Sequence, residues 1–144
     1  MELRILVDTN VLIDYLTTRE PFFQHAKKII QLCRTEKIFG ALAAQSIADI
    51  FYILRKEMTV EKRRAVLLNL IEIFYVETVD RQKLKNALMN KNFSDFEDCL
   101  QTECAISFKA DYIVTRNTGD YRQSEIPCIT PDDFCKLFED ETEE

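Results

Sequence analysis

Four aspartates of this chain occupy positions at which the stability of the fold does not require a carboxylate. They are Asp8, Asp49, Asp98 and Asp120. Asp8 directly follows the apolar residues Ile5–Val7, where a carboxylate loses solvation that must be compensated. Two carboxylates about 5 Å apart repel each other by about 3 kcal/mol at an effective dielectric constant of about 20. A cation between them removes this repulsion, and oxygen ligands without Cys or His favour Mg²⁺ or Mn²⁺. If these aspartates converge, they predict a divalent-metal site.

Asp49 lies in the stretch AAQSIADIFYILRKE, whose apolar residues predict a helix. The core-facing stripe, at the i, i+3, i+4, i+7 spacing, consists of Ile47, Ile50, Phe51 and Leu54. Further apolar residues, among them Tyr52 and Ile53, cover much of the remaining circumference, so we expect a buried helix with Asp49 inside an apolar surround. The alternative is a surface acid near the helix start, where the helix dipole tolerates negative charge.

A later helix begins within the stretch NFSDFEDCLQTECAISF. Ser94 followed by Glu97 matches a capping box, in which the two side chains satisfy backbone N–H groups at the helix start, so we interpret Glu97 as structural. Asp95 and Asp98 then lie in the first turn or so, where negative charge is favourable. Asp98 faces away from the apolar side of this helix, which makes it a candidate site residue.

Oxygen-bearing side chains also crowd the stretch VTRNTGDYR, which continues the apolar strand Tyr112–Val114. Thr115, Asn117 and Asp120 follow at the carboxyl end of that strand. Asn117 and Gly119 are turn formers, so a plain loop is the alternative. We favour a functional segment because Asp8 also follows a strand directly.

Short apolar segments alternate with helical segments along the chain. The predicted strands are Arg4–Asp8, Ile38–Leu42, Phe74–Thr78, Tyr112–Thr115 and Pro127–Ile129. The predicted helices are Pro21–Thr35, Ala44–Glu57, Val60–Ile73, Arg81–Met89, Asp95–Phe108 and Pro131–Phe138, with a short helix beginning near Val11. This alternation predicts an α/β fold in which a parallel sheet carries helices on both faces. We expect a single domain over residues 1–138, with an acidic, frayed tail at 139–144. Ligand sites of such sheets lie beyond the carboxyl ends of the strands, where Asp8 and TRNTGDY meet.

The composition of the 144 residues, 47% hydrophobic and 31% charged, is that of an ordinary globular domain. A net charge of −6 argues against broad nucleic-acid binding by charge alone. Five cysteines without a CxxC pair predict reduced thiols in a cytoplasmic protein. No apolar run approaches the roughly 20 residues of a membrane span, and no signal peptide is visible, so we expect no membrane partner.

Taken together, these stretches resemble the PIN domain family, of the kind found in bacterial VapC-type toxins and related nucleases. The resemblance rests on VDTNVLIDYL, SIADIFYIL, DFEDCLQ and TRNTGDY, whose order and spacing agree with the family over nearly the whole chain. It implies a three-layer α/β/α fold with a central parallel sheet. It also implies a ribonuclease that hydrolyses RNA phosphodiester bonds with Mg²⁺ or Mn²⁺, often as a homodimer, and a possible antitoxin partner.

The resemblance also assigns roles to individual residues. The acids it implies as catalytic are Asp8, Asp49, Asp98 and Asp120. Those it implies as metal ligands are Asp8, Asp98 and Asp120. The accessory residues are Asn10, Asp95, Thr115 and Asn117. Asp49 departs from the pattern, because the family more often has glutamate there and aspartate reaches one methylene less far.

Two other functions fit parts of the sequence. A haloacid-dehalogenase-like phosphatase also places an aspartate after its first strand, but it needs a second acid two residues on, where this chain has Asn10. A PIN fold without turnover, acting as a nucleic-acid-binding or protein-interaction module, is the alternative that the Asp49 departure leaves open. For either PIN reading we expect a homodimer, because the predicted helices Ala44–Glu57 and Val60–Ile73 carry more apolar surface than internal packing covers.

Overall fold

Five parallel strands form one sheet at the centre of the molecule, in the order β3-β2-β1-β4-β5. The computed structural model describes residues 2–93 and 95–142, and side-chain surroundings up to residue 138. The strands are β1 Arg4–Val7, β2 Phe39–Ala43, β3 Tyr75–Glu77, β4 Tyr112–Val114 and β5 Cys128–Ile129. Every neighbouring pair is parallel, so the predicted parallel α/β sheet is confirmed.

Helices cover both faces of the sheet. Within the described residues they are α1 Thr9–Leu16, α2 Phe23–Arg34, α3 Ala44–Ile53, α4 Val60–Ile73, α5 Arg81–Met89, α6 Phe96–Phe108 and α7 Pro131–Thr142. Two short 3₁₀ turns occupy Leu54–Lys56 and Thr118–Tyr121. The last helix runs four residues beyond its predicted end at Phe138, into the segment that we expected to be a frayed tail. Residues 143 and 144 of that tail lie outside the described residues.

Side chains of the central strand alternate between two cores, as the pleat of a strand requires. Ile5 and Val7 pack with apolar residues of α1, α2, α3, α4 and α7. Leu6 points to the opposite face and packs with Cys104, Ala105 and Phe108 of α6. Both faces of β1 are therefore buried, which gives the three-layer α/β/α arrangement and explains why the first strand is a continuous apolar run.

Helix α3 is not buried all round, contrary to the prediction from its sequence. Only Ser46 and Ile50 are buried within it. Tyr52 is 63% exposed and Ile53 is 47% exposed, although both are large and apolar. The sequence correctly indicates that α3 is rich in apolar residues. It does not indicate whether another element covers the outer side of the helix, and no element among the described residues covers it.

The order of the strands determines which of their ends meet. The chain steps from β1 outward through β2 to β3, and then returns to place β4 on the other side of β1. Helices on either side of this reversal diverge, which opens a crevice at the carboxyl ends of β1 and β4. Asp8 follows β1 and Thr115 follows β4, so the fold brings these two predicted site residues together at the crevice.

The described residues contain no helix with both the length and the apolar character needed to cross a bilayer.

A close approach between layers makes Gly40 of β2 sensitive to substitution. A Cβ at this position would lie 2.5 Å from Cys33 Sγ and 2.9 Å from the Phe74 ring. We expect Gly40→Ala to destabilise the protein by about 1–3 kcal/mol through overpacking. This corresponds to a fall in melting temperature of about 3–10 °C for a domain of this size.

Gly119→Ala is the matched control, because a Cβ there meets nothing within 4 Å. Thermal unfolding of both variants, and of Gly40→Ala combined with Cys33→Ala, measures the effect. The double variant should lose less stability than the two single losses predict. Equal melting temperatures for Gly40→Ala and Gly119→Ala would contradict this account of the interlayer contact.

Candidate active site

An open cavity of about 430 Å³ lies at the carboxyl ends of β1 and β4, between the starts of α1 and α6 and the middle of α3. Its acidic lining residues are Asp8, Asp49, Glu97 and Asp98. Asn10 and Asn117 contribute amide groups. Among the described residues that line it there is no lysine, arginine or histidine. The cavity is therefore strongly negative, although it sits in an otherwise ordinary α/β fold.

Asp8 is the buried centre of this arrangement. It is the N-cap of α1, and its Oδ1 accepts a hydrogen bond from the Thr9 backbone N–H at 2.7 Å. Its Oδ2 accepts bonds from the Thr115 hydroxyl at 2.8 Å and the Tyr121 hydroxyl at 3.1 Å. These contacts join the start of α1 to the end of β4 and to the 3₁₀ turn at Thr118–Tyr121.

The environment of Asp8 disfavours its charge despite these bonds. Burial raises the pKa of the Asp8 carboxyl, and the nearby Asp120 carboxylate raises it further. The hydrogen bonds from Thr115, Thr9 and Tyr121 lower the pKa but do not offset the loss of solvation. A positive charge near Oδ1 or Oδ2 would stabilise the ionised form.

Helix α6 begins one residue later than the predicted capping box requires. Its N-cap is Asp95, whose Oδ1 accepts a hydrogen bond from the Asp98 backbone N–H at 3.0 Å. Ser94, the predicted cap, lies outside the described residues. The interpretation of Glu97 as the structural member of the box is therefore wrong, and Glu97 instead lines the cavity.

Glu97 and Asp98 both carry raised pKa values. Partial burial raises the pKa of Asp98 to about 7, with further contributions from the charges of Asp95, Asp8 and Asp120. A hydrogen bond with Tyr121 acts in the opposite direction. Burial also raises the pKa of Glu97, and Asp49 is the largest of the charges that add to it. Neighbouring carboxylates therefore impede the ionisation of both Glu97 and Asp98.

A network of hydrogen bonds between neutral side chains connects α1, α3 and α6, the helices next to the acidic residues. Thr9 of α1 and Ser46 of α3 share a hydrogen bond of 2.8 Å between their hydroxyls. The side-chain nitrogen of Gln101 in α6 donates to Ser46 Oγ at 3.0 Å and to Thr9 Oγ1 at 3.3 Å. Gln101 Oε1 and both amide atoms of Gln45 are buried without a hydrogen-bond partner among the described residues. The network fixes the spacing of the helices that carry Asp8, Asp49 and Asp98.

A partly buried ion pair holds the loop that follows β4. Arg116 Nε donates to Asp14 Oδ2 at 2.6 Å, and its guanidinium lies 4.2 Å from the centre of the Phe22 ring. Asp14 is 1% exposed and belongs to α1, the helix that Asp8 caps. The pair therefore holds the Asn117 segment against the same helix that positions Asp8.

The structure brings most of the predicted site residues to this cavity. Those that line it are Asp8, Asn10, Asp49, Asp98 and Asn117. Thr115 is completely buried and supports Asp8 from beneath, whereas Asp95 caps α6. Asp120 is exposed and is not part of the lining, but its charge raises the pKa values of Asp8 and Asp98.

Glu97, Gln101 and Tyr121 are site residues that sequence reasoning missed. Asp95 could have signalled Glu97, because aspartate is as good a helix cap as serine, and a cap at Asp95 removes Glu97 from the capping-box position. Nothing in the sequence indicates that the Tyr121 hydroxyl reaches Asp8, a residue 113 positions away.

The chemistry of this donor set fits a hard divalent cation. Its members are carboxylate, amide and hydroxyl oxygens, and Gln101, whose buried Oε1 has no hydrogen-bond partner among the described residues, also lines the cavity. In the described part of the chain, no three His, Cys, Asp or Glu side chains already stand in position to hold an ion. Mg²⁺ keeps several waters and commonly binds through one or two carboxylates, so it does not require such a preformed cage.

Comparison with known proteins identifies the family of this arrangement. The family model of the PIN domain matches residues 4–119. The search of curated proteins finds no match.

Solved structures of low sequence identity share the fold. A toxin–antitoxin complex from Klebsiella pneumoniae is 21% identical, with a TM-score of 0.65 over 88% of this chain and 97% of that chain. VapBC-1 from nontypeable Haemophilus influenzae is 19% identical, with a TM-score of 0.64 over 90% and 99%. Mycobacterium tuberculosis VapC20, described as a sarcin–ricin loop cleaving toxin, is 13% identical, with a TM-score of 0.59 over 76% and 86%.

The raised pKa of Asp98 predicts a pH-dependent stability for the metal-free protein. The folded-state pKa of about 7 lies above the value of about 3.9 in an unfolded chain. Between these values the folded state binds more protons, so stability falls as the pH rises from about 4 to about 7. In EDTA, Asp98→Asn should therefore melt a few degrees above the wild type at pH 8, and the difference should shrink at pH 5.

Thermal unfolding at both pH values measures this, with the exposed Glu72→Gln as a control that removes one negative charge elsewhere. The difference in melting temperature between Asp98→Asn and the wild type should depend on pH. If it stays constant from pH 5 to pH 8, ionisation of Asp98 is not its cause.

Proposed function

Because this chain belongs to the PIN domain family, we propose that it is a divalent-metal-dependent endoribonuclease that hydrolyses phosphodiester bonds of RNA. The observation that carries the proposal is the acidic cavity at the carboxyl ends of β1 and β4. There, Asp8, Glu97 and Asp98 have pKa values raised by burial and by neighbouring carboxylates. Such a cavity repels phosphate unless a cation is present, which supports a metal-dependent reaction with Mg²⁺ or Mn²⁺.

Asp8 and Asp98 would hold the metal ion, and Asp120, whose charge raises the pKa of both carboxyls, would be the third carboxylate ligand. A bound divalent ion would supply a Lewis acid for the scissile phosphate and a water of lowered pKa. Thr115 and Tyr121 keep Asp8 oriented through their hydrogen bonds to Oδ2.

Asp49 and Glu97 would orient the attacking water and accept its proton. Both line the cavity, and the charge of Asp49 raises the pKa of Glu97. Glu97 has the longer side chain, so it offers the reach that Asp49 lacks relative to the glutamate more common in the family. The amides of Asn10 and Asn117 would donate hydrogen bonds to phosphate oxygens.

The solved relatives also support a toxin of a toxin–antitoxin pair. The Klebsiella pneumoniae structure is a toxin–antitoxin complex, and this chain shares its fold. We therefore propose a cognate antitoxin as a protein partner. We also propose a homodimer as the form of the free protein, because Leu68 and Ile71 of α4 are large apolar side chains that are 64% and 42% exposed. A cytoplasmic location fits the free thiols of Cys33, Cys99, Cys104 and Cys128.

A PIN fold that binds RNA or protein without cleaving it is the second candidate. The aspartate at position 49, where the family more often has glutamate, favours it.

Cleavage of RNA distinguishes the two candidates. We expect the wild type to cut a mixed pool of structured RNAs at single-stranded or loop positions with Mg²⁺ or Mn²⁺, because unpaired backbone is accessible to an open cavity. EDTA should abolish cleavage, and Asp98→Asn should reduce it at least about 100-fold through loss of a metal ligand. Gel analysis of end-labelled RNA measures it, with Glu72→Gln as the charge-matched control. Binding of RNA without cleavage in either metal would favour the non-catalytic module.

The variant Asp8→Asn tests whether Asp8 is a metal ligand or an acid that is needed for the fold. The raised pKa of Asp8 means that the fold tolerates a neutral side chain there, so the variant in EDTA at pH 8 should match the wild type or exceed it by about 1 kcal/mol. That is a few degrees in melting temperature. Millimolar Mn²⁺ should stabilise the wild type by mass action and the variant much less.

Thermal unfolding of the wild type and of Asp8→Asn, with and without Mn²⁺, measures these stabilities. A separate cleavage assay should show that Asp8→Asn no longer cuts RNA. If Asp8 is chiefly structural, the variant loses charged hydrogen bonds of about 1.5–3 kcal/mol and keeps the full Mn²⁺ shift.

A further inference from the structure

Tyr52 and Ile53 form an exposed apolar lip on the acidic cavity, and neither residue has a role in the proposed chemistry. Both line the cavity, on the last turn of α3. They are also the residues whose exposure contradicts the prediction of a buried helix. Tyr52 lies three residues after Asp49, so the two are neighbours on one side of the helix. Whatever touches this ring therefore lies next to the acids.

An arginine holds the Tyr52 ring in place. The guanidinium carbon of Arg55 is 3.8 Å from the ring centre, and Nη1 donates to the Tyr52 carbonyl oxygen at 2.9 Å. The guanidinium covers one part of the ring, yet 63% of Tyr52 remains exposed at the cavity mouth. This contact restricts the motion of the ring before any ligand arrives, which lowers the entropy cost of stacking on it.

The charges around the lip differ in sign from those inside the cavity. Arg55 and Lys56 are exposed in the 3₁₀ turn that follows α3, whereas the cavity interior is lined by carboxylates. A chain of phosphates passing the site would meet the acids, with their metal, at one position and these cations beside it. With a net charge of −6, the protein must take its affinity for RNA from such local contacts.

We propose that Tyr52, supported by Ile53 and Arg55, is a stacking platform for an unpaired nucleobase next to the scissile phosphate, an inference that rests on the proposed ribonuclease function. Bases in a duplex already stack on one another, so the platform selects single-stranded segments and loops. A second copy of the chain is a poorer occupant, because a symmetric contact at this lip would bring two acidic cavities together.

The absence of tryptophan from the chain makes a direct test possible. Tyr52→Trp introduces a single fluorescent reporter at the platform, and Tyr75→Trp introduces one at an exposed tyrosine at the opposite, amino-terminal edge of the sheet. Both are made in the Asp98→Asn background, which slows cleavage of the probe. The probes are a short single-stranded RNA of mixed sequence and the same strand annealed to its complement.

We expect single-stranded RNA to quench the Tyr52→Trp emission, duplex RNA to leave it unchanged, and neither to affect Tyr75→Trp. In the same background, Tyr52→Ala should weaken the Kd for single-stranded RNA about 5- to 150-fold, the equivalent of about 1–3 kcal/mol. Tyr52→Phe keeps the ring and should stay within about twofold of the parent. Tyr75→Ala is the control for loss of an exposed tyrosine.

Several results would overturn the platform. They are unchanged emission on binding, equal quenching by duplex RNA, an unaltered Kd for Tyr52→Ala, or a concentration-dependent emission shift without RNA, which would assign the lip to a second copy. Failure of the nuclease function gives a different pattern. Quenching by single-stranded RNA would then persist, while wild-type protein cleaves no RNA with Mg²⁺ or Mn²⁺.

Discussion

The burial of one carboxylate organises the working edge of this molecule. Asp8 ends the central strand, caps α1, and accepts hydrogen bonds from the end of β4 and from the 3₁₀ turn beyond it. A buried carboxylate must be hydrogen-bonded or paired, so each of these segments has to take the position that supplies its donor. The need to compensate the lost solvation of Asp8 therefore constrains the positions of four segments: β1, the start of α1, the end of β4 and the 3₁₀ turn.

The remaining acids add a repulsion that the fold must withstand. Asp98 and Glu97 lie near Asp8 and Asp49, and their raised pKa values show that the metal-free cavity disfavours their charges. The supporting contacts beneath them are mostly neutral, namely the hydroxyls of Thr9 and Ser46 and the amide of Gln101. Neutral donors hold the helices together without cancelling the negative field. The cavity therefore keeps its negative charge at a cost in stability, as functional sites commonly do.

The elements and the edge of the site were predictable because they depend on local patterns. Apolar runs such as Ile5–Val7 predict buried strands, and strands that alternate with helices require parallel crossovers. Parallel strands share a carboxyl edge, so connectivity places Asp8 and Thr115 at the same edge of the sheet. Their contact depends in addition on β4 lying next to β1, which the sheet order decides. The burial of α3 was not predictable in this way. The exposure of Tyr52 depends on whether another element covers it, and hydrophobic periodicity describes one helix only.

The sequence by itself determined the parallel α/β architecture, the membership in the PIN domain family and the acidic character of the site, since these follow from residue types in a fixed order. Tertiary structure alone decided which side chains enter the cavity. With Asp95 as the cap, Glu97 is the second residue of α6 and not the third, where a capping-box acid reaches back to the cap, and its side chain lines the cavity. Likewise, the hydroxyl of Tyr121 meets Asp8 across 113 residues of chain. Contacts of this kind are settled by how the elements pack, because the direction of a single side chain leaves no mark on the local sequence.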